Sequence, residues 1–402
     1  MKKVYGLLIC LMVVLLFAGC GTSSGTSSSS AQMSVEEPGS DATSYYVRAN
    51  GNDRNAGTSE DAPFRTLTRA INVASRTSLK KITVIGTLTE NVSTEDSAAS
   101  TVKRKNWDDP NPSEILITGK PEAAGNERAV LTASRGHIFT LFNFIAVRFE
   151  HIEMSGANGA PAIRVAGGEL TLADGVKIIN NKNTNGGAGG GILLTHGGLL
   201  IMRDNAEISN NEATVGGGFS LGDEGGGTSA ILTDNAVVSN NKSDNGGGIV
   251  VGNSNLSLTD NAIVKNNTAA QNGGGIILQG GEINLYDNAS IINNIAQGSP
   301  NSANSGFGGG IFINGGNLYL RDNSSINNNS ANLGGGIMGF ENAGVYLSGT
   351  PKITGNRATI AAGGVFINRS RGGNLFTGQN INFRDIILNN TAPENADVYL
   401  MS

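Results

Sequence analysis

The chain has 402 residues, of which 58 are glycine and 49 asparagine, while only 15% are charged and 5% aromatic. A formal net charge of -5 is mild and offers no basic field to a phosphate backbone, so nothing points to a nucleic-acid partner. This composition belongs either to a disordered chain or to a repeat fold that uses Gly and Asn structurally.

Lys2 and Lys3 precede an apolar run from Val4 to Phe17, followed by Ala18, Gly19 and Cys20. A basic start, a short apolar core and small residues before a cut describe an export signal over residues 1–19. The core is too short for a comfortable membrane span. Its small-small-Cys end resembles the lipobox of bacterial lipoproteins, although Phe17 stands where that motif usually has Leu. The resemblance implies acylation of Cys20 and attachment to a membrane through the N-terminal lipid; plain secretion is the alternative. Cys10 leaves with the signal, so no internal disulfide is expected. Gly21 stands where Asp would hold an enteric lipoprotein at the inner membrane, which points to the outer one. Residues 20–43, with "GTSSGTSSSSAQ" at 21–32, read as a flexible tether.

Residues 44–120 read as an N-terminal cap and first coils. "FRTLTRAINVAS", residues 64–75, is the one helix candidate, placed where a solenoid needs a cover over its first exposed rung. Strand-like rungs follow at "ITVIGT", "ILITGK" and "VRFEHIEMSG". "KNWDDPNP", with Trp107, Asp108 and Asp109, reads as a solvated insertion loop.

The stretch 121–402 is repetitive. A polar pair recurs at Asn180-Asn181, Asn210-Asn211, Asn240-Asn241, Asn266-Asn267, Asn293-Asn294, Asn328-Asn329, Gly355-Asn356 and Asn389-Asn390, at steps of 26 to 35 residues. Between pairs lies a glycine run and an apolar residue, as at Ile249, Ile276 and Ile311. A third element, apolar-x-apolar-x-Asp, ends at Asp174, Asp204, Asp234, Asp260, Asp287 and Asp322. Each unit thus holds two or three short alternating runs between Gly and Asn turns. No unit can bury its apolar face alone. Stacking units about 4.8 Å apart buries a column and pairs every backbone group. The expected fold is all-β: one parallel β-helix of about ten or eleven coils, roughly 50 Å long. Glycine and asparagine would take the positive-φ corners, and stacked asparagines would hydrogen-bond along the axis.

"YYVRANGNDRNAGTSEDAPFRTLTRAI", residues 45–71, resembles the N-terminal start of pectate-lyase-like right-handed β-helix proteins. The alternation of "GGGI" with I-x-N-N resembles the GGA(I/L) and FxxN repeats of chlamydial polymorphic outer membrane proteins, and similar repeats in spirochaete surface lipoproteins. The resemblance covers residues 44–402. It implies a right-handed β-helix at a bacterial surface, but not one activity, because the architecture hosts lyases, hydrolases and adhesins alike. The polymorphic proteins end in a membrane barrel, whereas here the repeats run to Ser402, and lipid would serve as anchor instead.

Catalytic signatures are not found. Lyases of this superfamily use calcium-binding carboxylates with an Arg or Lys, and hydrolases use paired Asp residues; the repeat columns show neither. His137, His151 and His196 fall in different rungs without the spacing of a metal trio. Asp204, Asp234, Asp260, Asp287 and Asp322 should stack at one corner, where neighbouring charges repel by about 0.9 kcal/mol in water. Capping of the local Asp-Asn turns would relieve this, and calcium bridging between coils is the alternative. If Ile276 and Leu278 point inward, then Leu193, Ser220, Val250, Ile277, Phe312, Met338 and Phe366 form an outward stripe. A stripe so apolar marks a contact surface or is covered by a loop. Tyr286, Tyr319 and Tyr346 form a second outward set suited to sugar rings or a protein partner. The expectation is a surface-exposed, adhesin-like platform for a glycan or a host or matrix protein. A lyase-like polysaccharide enzyme and a structural spacer are the alternatives.

Overall fold

A computed structural model describes residues 36–94, 114–121, 126–142, 145–222, 227–299, 304–379 and 381–402. The signal, Cys20, the tether up to residue 35 and the Trp107–Asp108–Asp109 loop lie outside the described residues.

The repeats stack into a parallel β-helix. Four parallel sheets run along it: sheet A with twelve strands, sheets B and C with eleven each, and sheet D with seven. One regular coil passes through Ser254–Leu258 in sheet A, Ile263–Lys265 in sheet B, Thr268–Asn272 in sheet D and Ile276–Leu278 in sheet C. Registers hold from coil to coil, as in Leu256 beside Ile283 and Ile276 beside Ile311. Inward side chains such as Leu256, Leu258, Val264, Ile276 and Leu278 are fully buried. Stacked columns of such residues form the core that no single coil could make.

The alternation in the sequence points to sheets A, B and C. Sheet D is harder to read because its one inward position per coil is small: Ala213, Ser243, Ala269, Ala296, Ala331 and Ala358 are all buried. The chain turns sharply after it. Gly273 has φ +63, and a Cβ on Gly274 would meet the Gly309 carbonyl oxygen of the next coil at 2.4 Å. Only glycine fits so close an approach.

The two residues of each polar pair divide the work. The first takes the left-handed conformation, with φ near +56 at Asn210, Asn240 and Asn266, and Gly355 continues the column at φ +68. Asparagine tolerates this region better than other L residues. The second is buried and builds a ladder. Asn211 donates from its backbone N–H and from Nδ2 to Oδ1 of Asn241, at 2.9 and 3.1 Å, and its Nδ2 also donates to the Ile178 carbonyl at 2.9 Å. The pattern repeats through Asn267, Asn294, Asn329, Asn356 and Asn390, and ends on Oδ1 of Asp397.

Helix α1, Leu67–Ala74, covers the first coils and buries Leu67, Ala70, Ile71, Val73 and Ala74. Thr66 caps it by accepting from the Arg69 N–H at 3.2 Å. The Glu90 carboxylate accepts the Leu67 and Thr68 N–H groups at 2.8 and 3.1 Å. A carboxylate there satisfies free donors and complements the helix dipole.

The apolar stripe is not the solvent-facing surface that alternation predicts. Val250, Ile277, Phe312, Met338 and Phe366 are 2 to 9% exposed and pack with Leu333, Ala361 and Ala362 into a second core. Ser220 is likewise buried, and Leu193 half-buried. The glycine bend is the cause. At Gly273 the chain folds back so tightly that a Cβ would lie 2.2 Å from Cγ1 of Ile277. The corner between sheets D and C is therefore re-entrant, and side chains outward from sheet C face the end of sheet D.

Candidate functional site

The aspartate column stands at the corner between sheets A and B. Asp204, Asp234, Asp260, Asp287 and Asp322 all have φ between +49 and +56. Four of the five carboxylates cap the coil before them: the Asp204, Asp234, Asp260 and Asp287 N–H groups donate to Oδ2 of the next aspartate at 3.1 to 3.3 Å. Asp260 also accepts from the Thr233 hydroxyl. That bond first, and the Asp234 N–H second, hold its carboxyl below the usual range. Backbone donors thus oppose the repulsion between neighbouring carboxylates. Among the described residues, no group of three or more His, Cys, Asp or Glu side chains is placed to hold a metal ion.

The tyrosines do not form one column. Tyr319 and Tyr346 are in register, whereas the strand partner of Tyr319 in the preceding coil is Asn284, two residues ahead of Tyr286. The Tyr319 and Tyr346 rings stack at 4.7 Å, and Phe376 continues the stack at 4.6 Å from Tyr346. The guanidinium of Arg321 lies 4.8 Å from the centroids of both Tyr286 and Tyr319 and donates to the Tyr286 hydroxyl. These are cation–π contacts. Sugar rings have no room between rungs, because the aromatic rings already fill the space. The half-buried edges of this ladder, and Phe376 at 43% exposure, are what it presents to solvent. Phe376 was legible in principle, thirty residues after Tyr346.

A polar cleft of about 620 Å³ opens at the same A–B corner in the less regular coils. Its lining includes Lys120, Glu127, Arg128, His151, Glu153, Asp174, Lys177 and Asn205. His151 occupies the corner where later coils have aspartate, at φ +51, and its N–H donates to the Asp174 carbonyl at 2.7 Å. Its Nε2 is 3.9 Å from Oδ2 of Asp174. Arg128 pairs with Glu153 at 2.5 Å, Lys120 with Glu60 at 2.8 Å, and Arg48 with Glu127 at 2.6 Å. Arg148 pairs with Glu150 beside it. From spacing alone His151 reads as isolated. The signal that spacing lacks is register: Glu153, Lys177 and Glu207 are strand neighbours on sheet B.

His137 and His196 remain separate from this group. His137 donates from Nδ1 to the Pro161 carbonyl at 2.9 Å, and His196 occupies a left-handed corner at φ +55.

Comparison of the chain with protein-family models, curated proteins and solved structures returned no match.

Proposed function

We propose that the protein is a lipid-anchored binding platform of a bacterial envelope, held at the outer membrane through Cys20 and turned outward, which engages a partner without catalysis. The observation that carries this reading is the ladder on sheet A. Tyr286, Arg321, Tyr319, Tyr346 and Phe376 are already packed against one another. Aromatic and arginine side chains dominate the energetic centres of protein interfaces. Prior ordering lowers the entropy lost on contact. A lone mature cysteine behind an export-like leader supports the anchor.

Two measurements test it. Protease shaving of intact cells should remove the repeat region before lysis. Adhesion of the purified protein to immobilised matrix proteins should weaken in Phe376→Ala and Tyr346→Ala while folding is kept. Protection of the repeats in intact cells would defeat the surface assignment, and unchanged adhesion in both variants would defeat the ladder.

A polysaccharide-active enzyme is the second reading. It is favoured by the convergence of Arg128, His151, Glu153, Asp174 and Lys177 on one cleft, the outward acid–base cluster such chemistry needs. A rise in unsaturated product from acidic polysaccharides would establish it. The spacer reading loses its expected means of self-association, since the apolar stripe is covered.

A further inference from the structure

We propose that the cleft around His151 binds a neutral, hydroxyl-rich ligand: a short stretch of uncharged saccharide. The inference is independent of the aromatic ladder and competes with the reading of this cleft as an enzyme site for acidic polysaccharides. At about 620 Å³ the cleft has the size of a small-molecule site. Most of its charged side chains stand beside a group of opposite or complementary character. Glu153, Glu127 and Glu150 each hold an arginine, Lys120 holds Glu60, and His151 faces Asp174. Lys177 is set by strand register between Glu153 and Glu207. A ligand carboxylate or ammonium would bring a like charge close to one member of every pair it approached, and would have to shed its own water to do so.

A hydroxyl meets no such obstacle. It can accept from Lys177 or from the Asn205 carboxamide and donate to Asp174 or Glu127 without a change of charge. Hydrogen bonds to charged groups are the stronger ones. The surface also suits an elongated ligand. A second hollow of about 480 Å³ shares His151, Asp174 and Asn205 and reaches along the corner to Asp234. A chain of sugars could follow the coil axis from one hollow to the other. No Phe, Tyr or Trp lines either hollow among the described residues, so recognition rests mainly on hydrogen bonds, and a dissociation constant on the order of 1 mM is expected for a trisaccharide.

The test is saturation-transfer NMR of the full chain with neutral trisaccharides of glucose, galactose, mannose and N-acetylglucosamine. Trigalacturonate and a heparin-derived hexasaccharide serve as charged comparators. Saturable binding of at least one neutral probe is expected, with little change when salt is raised. Asp174→Asn and Lys177→Gln should each weaken it about 10-fold, whereas Glu282→Gln, on sheet A outside both hollows, should not. Preference for the charged probes with steep salt dependence would overturn the proposal. So would neutral binding that survives both variants, or no binding of any neutral probe at about 10 mM, well above the expected constant.

Discussion

Asn211 and Asn241 are thirty residues apart, yet one carboxamide oxygen of Asn241 receives two donors from Asn211, its N–H at 2.9 Å and its Nδ2 at 3.1 Å. The same two-donor grip joins every later pair, in a setting where the asparagines are 0 to 6% exposed. Buried polar groups are stabilising only while satisfied.

Asn267→Ala should therefore be severe. It leaves the N–H and Nδ2 of Asn241 without their acceptor and frees the Val238 carbonyl. A loss of about 3 kcal/mol is expected, from several orphaned groups at about 1 kcal/mol or more each. Urea unfolding of wild type and variant, followed by circular dichroism, measures it.

The neighbouring position should behave in the opposite way. Asn266 has φ +56 and is exposed, and Gly355 already fills the same column. Asn266→Gly should leave stability within about 0.5 kcal/mol of wild type. Gly274→Ala, whose Cβ would meet a backbone oxygen at 2.4 Å, should cost about 3 kcal/mol. Thermal melts of the two variants side by side decide the matter.

Because the stripe is a second core, Ile277→Ala should act on stability. Ile277 is 3% exposed against Val250 and Phe312, and a loss of about 2–3 kcal/mol is expected for such a truncation. A variant with unaltered melting would return the stripe to the surface. Binding of a hydrophobic dye to native wild type should be weak for the same reason.

Acid should destabilise the protein in two windows. Burial, aided by the charge of Arg164, holds His137 below its ordinary 6.5, although its contact with the Pro161 carbonyl opposes this. The unfolded chain then takes up this proton first, so stability is full above about 6.5 and falls as pH drops through the folded value. Asp260, held below its ordinary 3.8, adds a second loss as pH falls from there through its own folded value. His137→Gln should flatten the first decline and spare the second, read as melting temperature against pH.

The repeats make most of the fold legible, since a column of identical residues at a regular step announces its own stacking. Several things escape such reasoning. Sheet D hides because Ala213, Ala269 and Ala296 have too little apolar surface to show an alternation. The stripe reads as outward because alternation gives the face of a strand but not the curvature of the chain around it, and the bend at Gly273 reverses the meaning of that face. The cleft draws Arg128, Glu153 and Lys177 from coils of unequal length, where spacing alone does not give register. By contrast, Tyr319 and Tyr346 were visible as partners because their coils differ by a clean 27 residues. The placement of Tyr286 beside Arg321 rather than in their column was not.

The asparagine ladder has a direction: each member gives toward the coil that follows and receives from the one before. Deletion of residues 241–266 would set Asn211 against Asn267, whose Oδ1 stands ready for the same two donors that Asn241 accepts today. Unequal recombination between repeats can therefore shorten or lengthen the body in whole coils, about 4.8 Å at a time, with the asparagine contact at the seam the same as the one it replaces. Reach is a heritable variable in this architecture, free to drift while the fold stays fixed.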